Sequence, residues 1–335
     1  MKAVFDGTSV RCGLDGQTLY EQGGFGRREK DGLRLAPQEA LYLLHRGKIE
    51  IDGYDFDRLL AVFAQTANVL RSYFVYRDIR ERGYAVQTGP HDFRIFKRGQ
   101  RPGKGESVYL VRVVSERDPI LFSGLIHEVT TAHNMRKQYV LAVVDDEDEL
   151  TYYEVKIQDL PEVFPPLNYP PVAGVPAGKS VMVKIPVGSA FEEAWFGSRF
   201  DELRLLFSPL ETLYLASEGV LSVTANEKSV SAEEIFSRAC ESDREFAHKA
   251  TVYSDLRKKG YVPKTGYKFG HHFRVYSGGK AHSEMLVHAM ETGAGLPMST
   301  ISRSVRLAHS VKKKMLFGCV YSSGIQYVEF ARIKL

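Results

Sequence analysis

The chain repeats itself: three blocks of its first half recur in the second half, in the same order and about 175 residues later. One of them, VYRDIRERGYAVQTG, returns as VYSDLRKKGYVPKTG. The matched blocks are residues 35–51 with 206–223, 75–89 with 252–266, and 132–144 with 308–320. Because chance does not produce three matches in one order, the sequence predicts one domain built twice.

A proline-rich stretch separates the two copies. It carries six prolines from Pro161 to Pro176, so we expect neither a helix nor a central strand there. We therefore expect the boundary near residue 168. The copies would be residues 1–165 and 172–335, each dividing again into residues 1–84 and 85–165, and residues 172–260 and 261–335.

Each copy is predicted to begin with helices and to end in a sheet, which gives a mixed α/β (α+β) fold. Proline suits a first helical turn, so helices are expected to open at Pro37 and Pro209. A longer helix is predicted over residues 232–259, closed by Gly260. Alternating apolar residues then predict strands at HFRVY, HSEMLVHAM, KMLFGCVY and IQYVEFARI.

The two copies differ at positions that carry chemistry. The residues of the second copy that the first has lost are Tyr276 (now Phe96), His282 (Glu106), Arg306 (Thr130) and Arg332 (Ile157). Phenylalanine keeps the ring of tyrosine and lacks only its hydroxyl. Replacing histidine by glutamate removes the side chain whose ordinary pKa suits acid–base catalysis near neutrality. Lys313 and His309 survive as Lys137 and His133. The second copy is therefore expected to hold a site that the first has lost.

Spacing places these residues near one another in the expected fold. Tyr276 and His282 flank residues 277–281, and across a hairpin with that loop they would lie opposite, with Cβ atoms about 5 Å apart. Residues 300–313 are predicted to form a helix with an apolar face of Ile301, Val305 and Ala308. The opposite, basic face would present Arg306, Ser310 and Lys313.

A tyrosine, a histidine and a lysine suit RNA cleavage by the RNA's own 2′-hydroxyl, which requires no metal ion and no cofactor. Lys313 would offset transition-state charge, and His282 would protonate the departing 5′ oxygen. Tyr276 would take the 2′ proton, provided that nearby cations lower its pKa from about 10. The expected products carry 2′,3′-cyclic phosphate and 5′-hydroxyl ends. Arg306 and Arg332 would hold an unpaired base between their guanidinium planes.

Each assignment has a structural alternative. Tyr276 could end a strand as a packing residue, and His282 could be an ordinary surface or core histidine, as we expect of His271, His272 and His309. Lys312, Lys313 and Lys314 could form a solvated basic face, and Arg332 could be an edge charge that discourages sheet pairing. The joint loss of four residues in one copy favours the functional interpretation.

The blocks VYSDLRKKGYVPKTGYKFGHHFRVY, HSEMLV and RLAHSVKKKMLF resemble the catalytic domain of tRNA-splicing endonucleases. LAPQEALYLLHRGKIE resembles the N-terminal subdomain of that family, so the resemblance covers essentially the whole chain. It implies a nuclease-like mixed sheet in each C-terminal subdomain and a catalytic triad of Tyr276, His282 and Lys313. It also implies that Arg306 and Arg332 sandwich a bulged base.

A chain with one intact and one decayed copy is similar to the homodimeric archaeal subclass of that family. The resemblance implies substrates that are precursor tRNAs with bulge–helix–bulge junctions, recognised mainly by shape. It also implies that an acidic hairpin turn of the decayed copy plugs a basic pocket on the partner chain. That turn is Asp145, Asp146, Glu147, Asp148 and Glu149. A solvated turn is the alternative.

Two other functions remain open from the residues. A metal-dependent nuclease is suggested by Glu154-Val155-Lys156, although three residues on a strand carry little information and lie in the decayed copy. A non-catalytic RNA-binding or structural subunit is the second alternative, and the intact second copy argues against it.

Composition bounds the setting of the protein. No apolar run approaches the roughly 20 residues of a membrane span, and the N-terminus lacks the apolar core of a secretion signal. The three cysteines are far apart, which favours a reducing compartment. We expect a cytoplasmic protein whose net charge of +4 permits RNA binding without demanding it.

Overall fold

A computed structural model describes residues 1–89, 91–163, 169–277 and 281–335. The expected boundary near residue 168 and the turn residues Gly278, Gly279 and Lys280 lie outside these ranges. The chain forms two compact units. The first unit comprises Met1–Lys156, Gly295–Arg303 and Phe330–Leu335, and the second comprises Ile157–Ala294 and Ser304–Glu329.

The elements up to residue 158 do not follow the predicted order of helices before sheet, because five strands between residues 2 and 51 form a sheet of their own among the first helices. The helices are α1 (Gln17–Gly23), α2 (Pro37–His45), α3 (Phe56–Phe63), α4 (Val69–Glu81) and α5 (Phe122–Asn134). The strands are β1 (Lys2–Phe5), β2 (Val10–Cys12), β3 (Arg27–Glu29), β4 (Gly32–Leu35), β5 (Glu50–Ile51), β6 (Val86–Thr88), β7 (Phe93–Phe96), β8 (Ser107–Ser115), β9 (Pro119–Leu121), β10 (Gln138–Val144) and β11 (Leu150–Gln158).

The later elements repeat that order. The helices are α6 (Ala190–Glu193), α7 (Pro209–Ser217), α8 (Ala232–Ser242), α9 (Phe246–Lys258) and α10 (Met298–Ser310). The strands are β12 (Val172–Ala177), β13 (Ser180–Lys184), β14 (Ser198–Asp201), β15 (Arg204–Phe207), β16 (Leu221–Ala225), β17 (Lys228–Val230), β18 (Tyr261–Thr265), β19 (Phe273–Ser277), β20 (Met285–Met290), β21 (Gly295–Pro297), β22 (Lys314–Tyr321) and β23 (Gly324–Ile333).

The rear parts of the two copies have the same sheet topology. Strands β6-β7-β8-β10-β11 lie side by side in the first copy, and β18-β19-β20-β22-β23 lie in the corresponding order in the second. In each set one pair is parallel, β8 with β10 and β20 with β22. Helix α5 in one copy and helix α10 in the other supply the crossover connection that a parallel pair needs. The mixed sheets and the duplication confirm the predicted fold class. The expectation of no central strand between Pro161 and Pro176 is wrong, because β12 lies between β13 and β16. Pro176 is tolerated there because β16 pairs only with residues 172–174 of β12.

Both predicted proline-initiated helices form, and both begin in the same way. The Oε1 and Oε2 atoms of Glu39 accept hydrogen bonds from the amides of Gly26 and Ala36, each at 2.9 Å. Glu211 accepts the equivalent bonds from Gly197 and Ser208 at 3.0 and 2.9 Å. The bonds from Ala36 and Ser208 satisfy amides at the helix start, and those from Gly26 and Gly197 hold the turns that follow α1 and α6.

The single long helix predicted over residues 232–259 is wrong. It is broken between α8 and α9 because Asp243 adopts an extended conformation, and its carboxylate accepts hydrogen bonds from the Glu245 amide and from Lys249 Nζ. Aspartate favours such local bonds over helix continuation. Gly260 follows α9 with φ 83°, in the left-handed region expected of a glycine after a helix end.

Aromatic side chains fill the cores. The first unit buries Tyr76 and Phe93, and the second buries Phe196, Phe207 and Tyr327. Each fully buried ring contributes about 1.5–3 kcal/mol relative to exposure.

Candidate active site

Strand β19 places Tyr276 in the interior of the second unit. Only 8% of the residue is exposed. Its ring packs against the indole of Trp195, with centroids 5.0 Å apart, and Arg274 Cζ lies 5.8 Å from the ring centroid. The sequence comparison did not single out Trp195, because it lies outside the matched blocks.

The predicted pairing of Tyr276 with His282 is wrong. Val275 pairs with Met285, so the position opposite Tyr276 is Glu284, and His282 precedes β20 in an exposed bend. The connection between the two strands is thus longer than a five-residue loop, and His282 belongs to it. Within that connection Ser277 Oγ donates a hydrogen bond to Glu284.

Lys313 does not lie on a helix face, which corrects a second expectation. Helix α10 ends at Ser310, and Lys312 takes the left-handed conformation with φ 55°. The reversal places Lys313 directly before β22, where its Nζ donates to the Ser283 carbonyl at 2.6 Å. The predicted apolar face of this helix is confirmed, because Ile301, Val305 and Ala308 are buried.

His282 and Lys313 line one open cavity of about 850 Å³ in the second unit. Lys312 and Lys314 line it as well, and so does Ser277, the residue after Tyr276. Tyr276 itself is not part of the lining. The cavity therefore brings a histidine together with three lysines, a set that suits a phosphodiester, and Asp159 and Glu284 line it too.

The two arginines predicted to hold a base are both exposed. Arg306 lies in the part of α10 that belongs to the second unit, and Arg332 lies near the end of β23, in a segment that belongs to the first. Neither is among the residues that line the cavity.

The acidic turn forms between β10 and β11, as predicted. Asp145 shapes it, because its Oδ1 accepts the amides of Glu147 and Glu149 at 3.0 and 2.9 Å. Asp146 pairs with Arg117. Asp148 takes the left-handed conformation with φ 62°, and the side chains from Asp146 to Glu149 are exposed. Asp145 thus acts in the turn itself, whereas its neighbours face solvent.

A second cavity, of about 830 Å³, holds a histidine cluster on which the sequence placed no function. His272 stacks on His288 with ring centroids 4.1 Å apart, and His271 lies 5.6 Å from His288. Burial, with the neighbouring His288, lowers the pKa of His271 to about 4 and that of His272 to about 3. Glu245 opposes this shift at His272, its Oε2 lying 3.4 Å from Nε2.

Two negative findings hold for the part of the chain that the structure describes. No group of three or more histidine, cysteine, aspartate or glutamate side chains there is arranged to hold a metal ion. No helix within those ranges combines the length and apolarity that a bilayer span requires.

Comparison with known families fits this duplicated architecture. A family model described as tRNA intron endonuclease, N-terminal domain, matches residues 1–60 and 172–236. A second, described as tRNA intron endonuclease, catalytic C-terminal domain, matches residues 69–152 and 246–327. By class, then, the chain has the two domains of a tRNA intron endonuclease, each present twice.

Relatives that match along the whole chain identify the family more closely. The chain is 38% identical to a tRNA-splicing endonuclease of Methanococcoides burtonii, with 95% of each chain covered. It is 37% identical to the same enzyme of Methanosarcina acetivorans over 100% of both chains, and 36% identical to that of Natronomonas pharaonis over 97%. The chain belongs to the tRNA-splicing endonuclease family, and the predicted family resemblance is confirmed.

Proposed function

We propose that this chain excises introns from precursor tRNA by cutting RNA at bulge–helix–bulge junctions without a metal ion. The observation that carries the proposal is the cavity of the second unit, in which an exposed histidine lies beside Lys313. In the first copy the corresponding histidine position holds Glu106. Family membership supplies the substrate, a precursor tRNA, and the reaction class, endonucleolytic cleavage.

The reaction is an internal transesterification. The 2′ oxygen attacks the adjacent phosphorus, the bond from phosphorus to the 5′ oxygen breaks, and the products carry a 2′,3′-cyclic phosphate and a 5′-hydroxyl. One proton leaves the 2′-hydroxyl and one is delivered to the 5′ oxygen, so the step requires a base and an acid but no water. The enzyme acts as an RNA lyase.

The proposed roles follow from exposure and charge. His282 is exposed at the cavity and would protonate the departing 5′ oxygen. Lys313 would offset the charge that accumulates on the phosphate oxygens in the transition state. Tyr276 would accept the 2′ proton. Because Tyr276 is 8% exposed, its hydroxyl would reach the RNA only at the rim where Ser277 meets the cavity.

The exposed Arg306 and Arg332 would hold an unpaired base of the bulge by stacking, which is a common way to bind splayed RNA bases.

We propose further that the enzyme acts as a homodimer in which the acidic turn binds a basic surface of the partner chain. The exposure of Asp146, Glu147, Asp148 and Glu149 supports this role. Asp145 is assigned to the turn because its carboxylate is engaged there.

The cleavage test uses a bulge–helix–bulge RNA, with and without EDTA, and compares the wild-type chain with His282→Ala. We expect EDTA-resistant cleavage with cyclic phosphate ends, slowed about 10²- to 10⁴-fold in the variant. Glu106→Ala, at the corresponding position of the first copy, is the matched control and should cleave normally. EDTA-sensitive cleavage would instead support a metal-dependent nuclease, and an inactive wild-type chain would support a subunit that needs another protein.

The dimer test compares Glu147→Gln/Asp148→Asn with the wild type by sedimentation velocity. Both exchanges keep side-chain size and leave Asp145 in place, so the turn should persist while its charge falls. We expect the variant to dissociate at protein concentrations at which the wild type is dimeric, and more readily as salt is added. A wild type that is active as a monomer would contradict the dimer proposal.

A further inference from the structure

Trp195 is the single tryptophan of the chain, and it occupies a backbone conformation that disfavours it. It follows the short helix α6 with φ 59°, in the left-handed region. That conformation is common for glycine after a helix but sterically costly for a residue with a bulky side chain. Such a residue persists only where something else compensates for the cost.

The first copy has a glycine at the corresponding position. Gly24 follows α1 with φ 67°, and Phe25-Gly26 aligns with Phe196-Gly197 of the second copy. A Cβ at Gly24 would lie 2.6 Å from Pro102 Cδ, so the first copy has no room for a side chain there. Both copies thus keep the same turn, but only the second accepts the strain of a large residue.

Both turns are held by the same arginine clamp. Arg80 donates to the Gly23 carbonyl at 2.9 Å and lies 3.6 Å from the Phe25 ring centroid. Arg257 donates to the Ala194 carbonyl at 2.8 Å and lies 3.9 Å from the centroid of Phe196. The clamp fixes the backbone without help from the indole, so holding the turn does not explain the tryptophan.

What the indole does contact is Tyr276, at 5.0 Å between centroids and an interplanar angle of 56°. Where the first copy has glycine, it also has Phe96 in place of this tyrosine. The tryptophan and the phenol therefore occur together in one copy and are absent together from the other. Trp195 remains 39% exposed, so its packing against Tyr276 does not bury it fully.

We infer that Trp195 is a positioning residue for Tyr276: its indole fixes the ring so that the phenol hydroxyl faces the reacting 2′-hydroxyl. This inference rests on the proposed role of Tyr276 in catalysis. Arg274, 5.8 Å from the ring centroid, adds a second contact to the ring. The indole restricts the ring's tilt, because an aromatic pair has a preferred geometry.

The decisive variant is Trp195→Gly, which installs the residue of the first copy and relieves the left-handed strain. Kinetics with a bulge–helix–bulge RNA should show kcat reduced about 10- to 100-fold, with KM within about threefold of wild type. Trp195→Phe should restore most of kcat because it restores a ring. Thermal unfolding of Trp195→Gly should match the wild type closely enough to exclude a folding defect.

A spectroscopic measurement tests the contact without relying on activity. Replacing tryptophan by 5-fluorotryptophan gives one ¹⁹F resonance, since the chain has one tryptophan. Tyr276→Leu should move that resonance by removing the ring, whereas Phe96→Leu, the matched change in the first copy, should leave it in place. An unmoved resonance in Tyr276→Leu would overturn the contact on which the inference rests.

Tyr276→Phe separates failure of this inference from failure of the proposed function. If Tyr276→Phe cleaves like the wild type, the catalytic assignment of the tyrosine is wrong, and the positioning role is lost with it. If Tyr276→Phe is inactive while Trp195→Gly keeps its kcat, the proposed function stands and the positioning role is overturned. A rise in KM with kcat retained would also overturn it, because it would assign the indole to RNA contact.

Discussion

The two copies hold the same buried glutamate in the same hydrogen bonds, but the two carboxyl groups have opposite pKa shifts. Burial raises the pKa of Glu39 above its ordinary value, and the amides of Ala36 and Gly26 only partly offset this effect. Burial disfavours ionised Glu211 too, but there Lys264, together with the amides of Ser208 and Gly197, outweighs burial and holds the pKa below its ordinary value. Lys264 Nζ lies 2.8 Å from Glu211 Oε1, and the first copy has Gln87 at that position.

The opposite pKa shifts of Glu39 and Glu211 indicate how the duplicated domain has diverged. Hydrogen bonds to buried backbone amides recur in both copies, because an unpaired buried amide is costly wherever it occurs. The charges placed around those groups are free to change. Similar contacts in the two copies therefore do not imply similar chemistry, and the lysine proposed for catalysis is a second example.

Lys313 and Lys137 make one and the same contact. Lys137 Nζ donates to the Ser107 carbonyl at 2.5 Å, as Lys313 Nζ does to that of Ser283. Both bonds tie the residue before a central strand to the start of the neighbouring parallel strand. A structural role explains why the lysine survives in the decayed copy, and it leaves the catalytic role to be tested by comparing the two residues.

The largest expected effect separates these two lysines. Lys313→Ala and Lys137→Ala should each lower the free energy of unfolding by about 1–2 kcal/mol, since each removes one hydrogen bond from a charged donor. Only Lys313→Ala should also reduce single-turnover cleavage, by about 10²-fold or more, because in our proposal only the second copy places this lysine and a histidine at the RNA. Equal activity of the two variants would show that the lysine is structural in both copies.

A smaller effect concerns acid stability. Because folding lowers the pKa of His271 and His272, the unfolded chain binds protons at these sites near pH 6.5, whereas the folded chain binds them only near pH 4 and 3. Their contribution is favourable above pH 6.5 and is lost as pH falls from 6.5 towards 4. We expect a loss of about 1–3 kcal/mol across that window, less than the full shift, because Glu245 stabilises the protonated form of His272.

Hydrogen exchange can compare the acid stability of the two copies within one molecule. After correction for intrinsic rates, protection of β19 and β20 should fall between pH 7 and 5 by more than that of β7 and β8. The first copy has Asp92 and Arg112 where the second has His272 and His288. Asp92 Oδ2 accepts the Val113 amide at 2.7 Å, as His272 Nδ1 accepts that of Ala289 at 3.0 Å. His272→Asp should therefore reduce the difference, and equal loss in both copies would contradict it.

The smallest effect returns to the buried glutamates. Lys264→Gln should lower the free energy of unfolding by about 1–2 kcal/mol at pH 7. The loss is smaller than for a fully buried ion pair, because Lys264 is partly exposed. Since the folded pKa of Glu211 is depressed, this loss should shrink as pH falls below about 4.5. Gln87→Lys is the reciprocal change and should stabilise ionised Glu39. Calorimetry at pH 7 and pH 4 measures both, and a loss independent of pH would exclude the ion pair as its cause.

Sequence reasoning predicted what depends on local pattern or on repetition. The proline-initiated helices, the strands β19, β20, β22 and β23 of the second copy, the apolar face of α10 and the acidic turn all have signals within a few residues. The family resemblance came from comparing the copies with a known motif. The boundaries of the copies and the roles of the site residues stay predictions.

What the sequence did not predict depends on single backbone angles or on distant contacts. The left-handed turn at Lys312 removes Lys313 from the helix, and one extended residue, Asp243, divides the predicted long helix. Strand register placed Glu284 rather than His282 opposite Tyr276. The contact between Trp195 and Tyr276 joins residues far apart in the chain, and no pattern in either segment indicates it.

The composition of the first unit has a consequence for the order of events during synthesis. Its core includes Leu335, and the Leu335 carbonyl accepts a hydrogen bond from Arg82 at 3.3 Å. Strand β21 pairs with β9 in the same unit. A ribosome makes these segments only after most of the second unit has emerged. The first unit therefore remains incomplete until segments that follow most of the second unit are made, and a chain stalled within β23 would leave the earliest part exposed to aggregation and proteolysis.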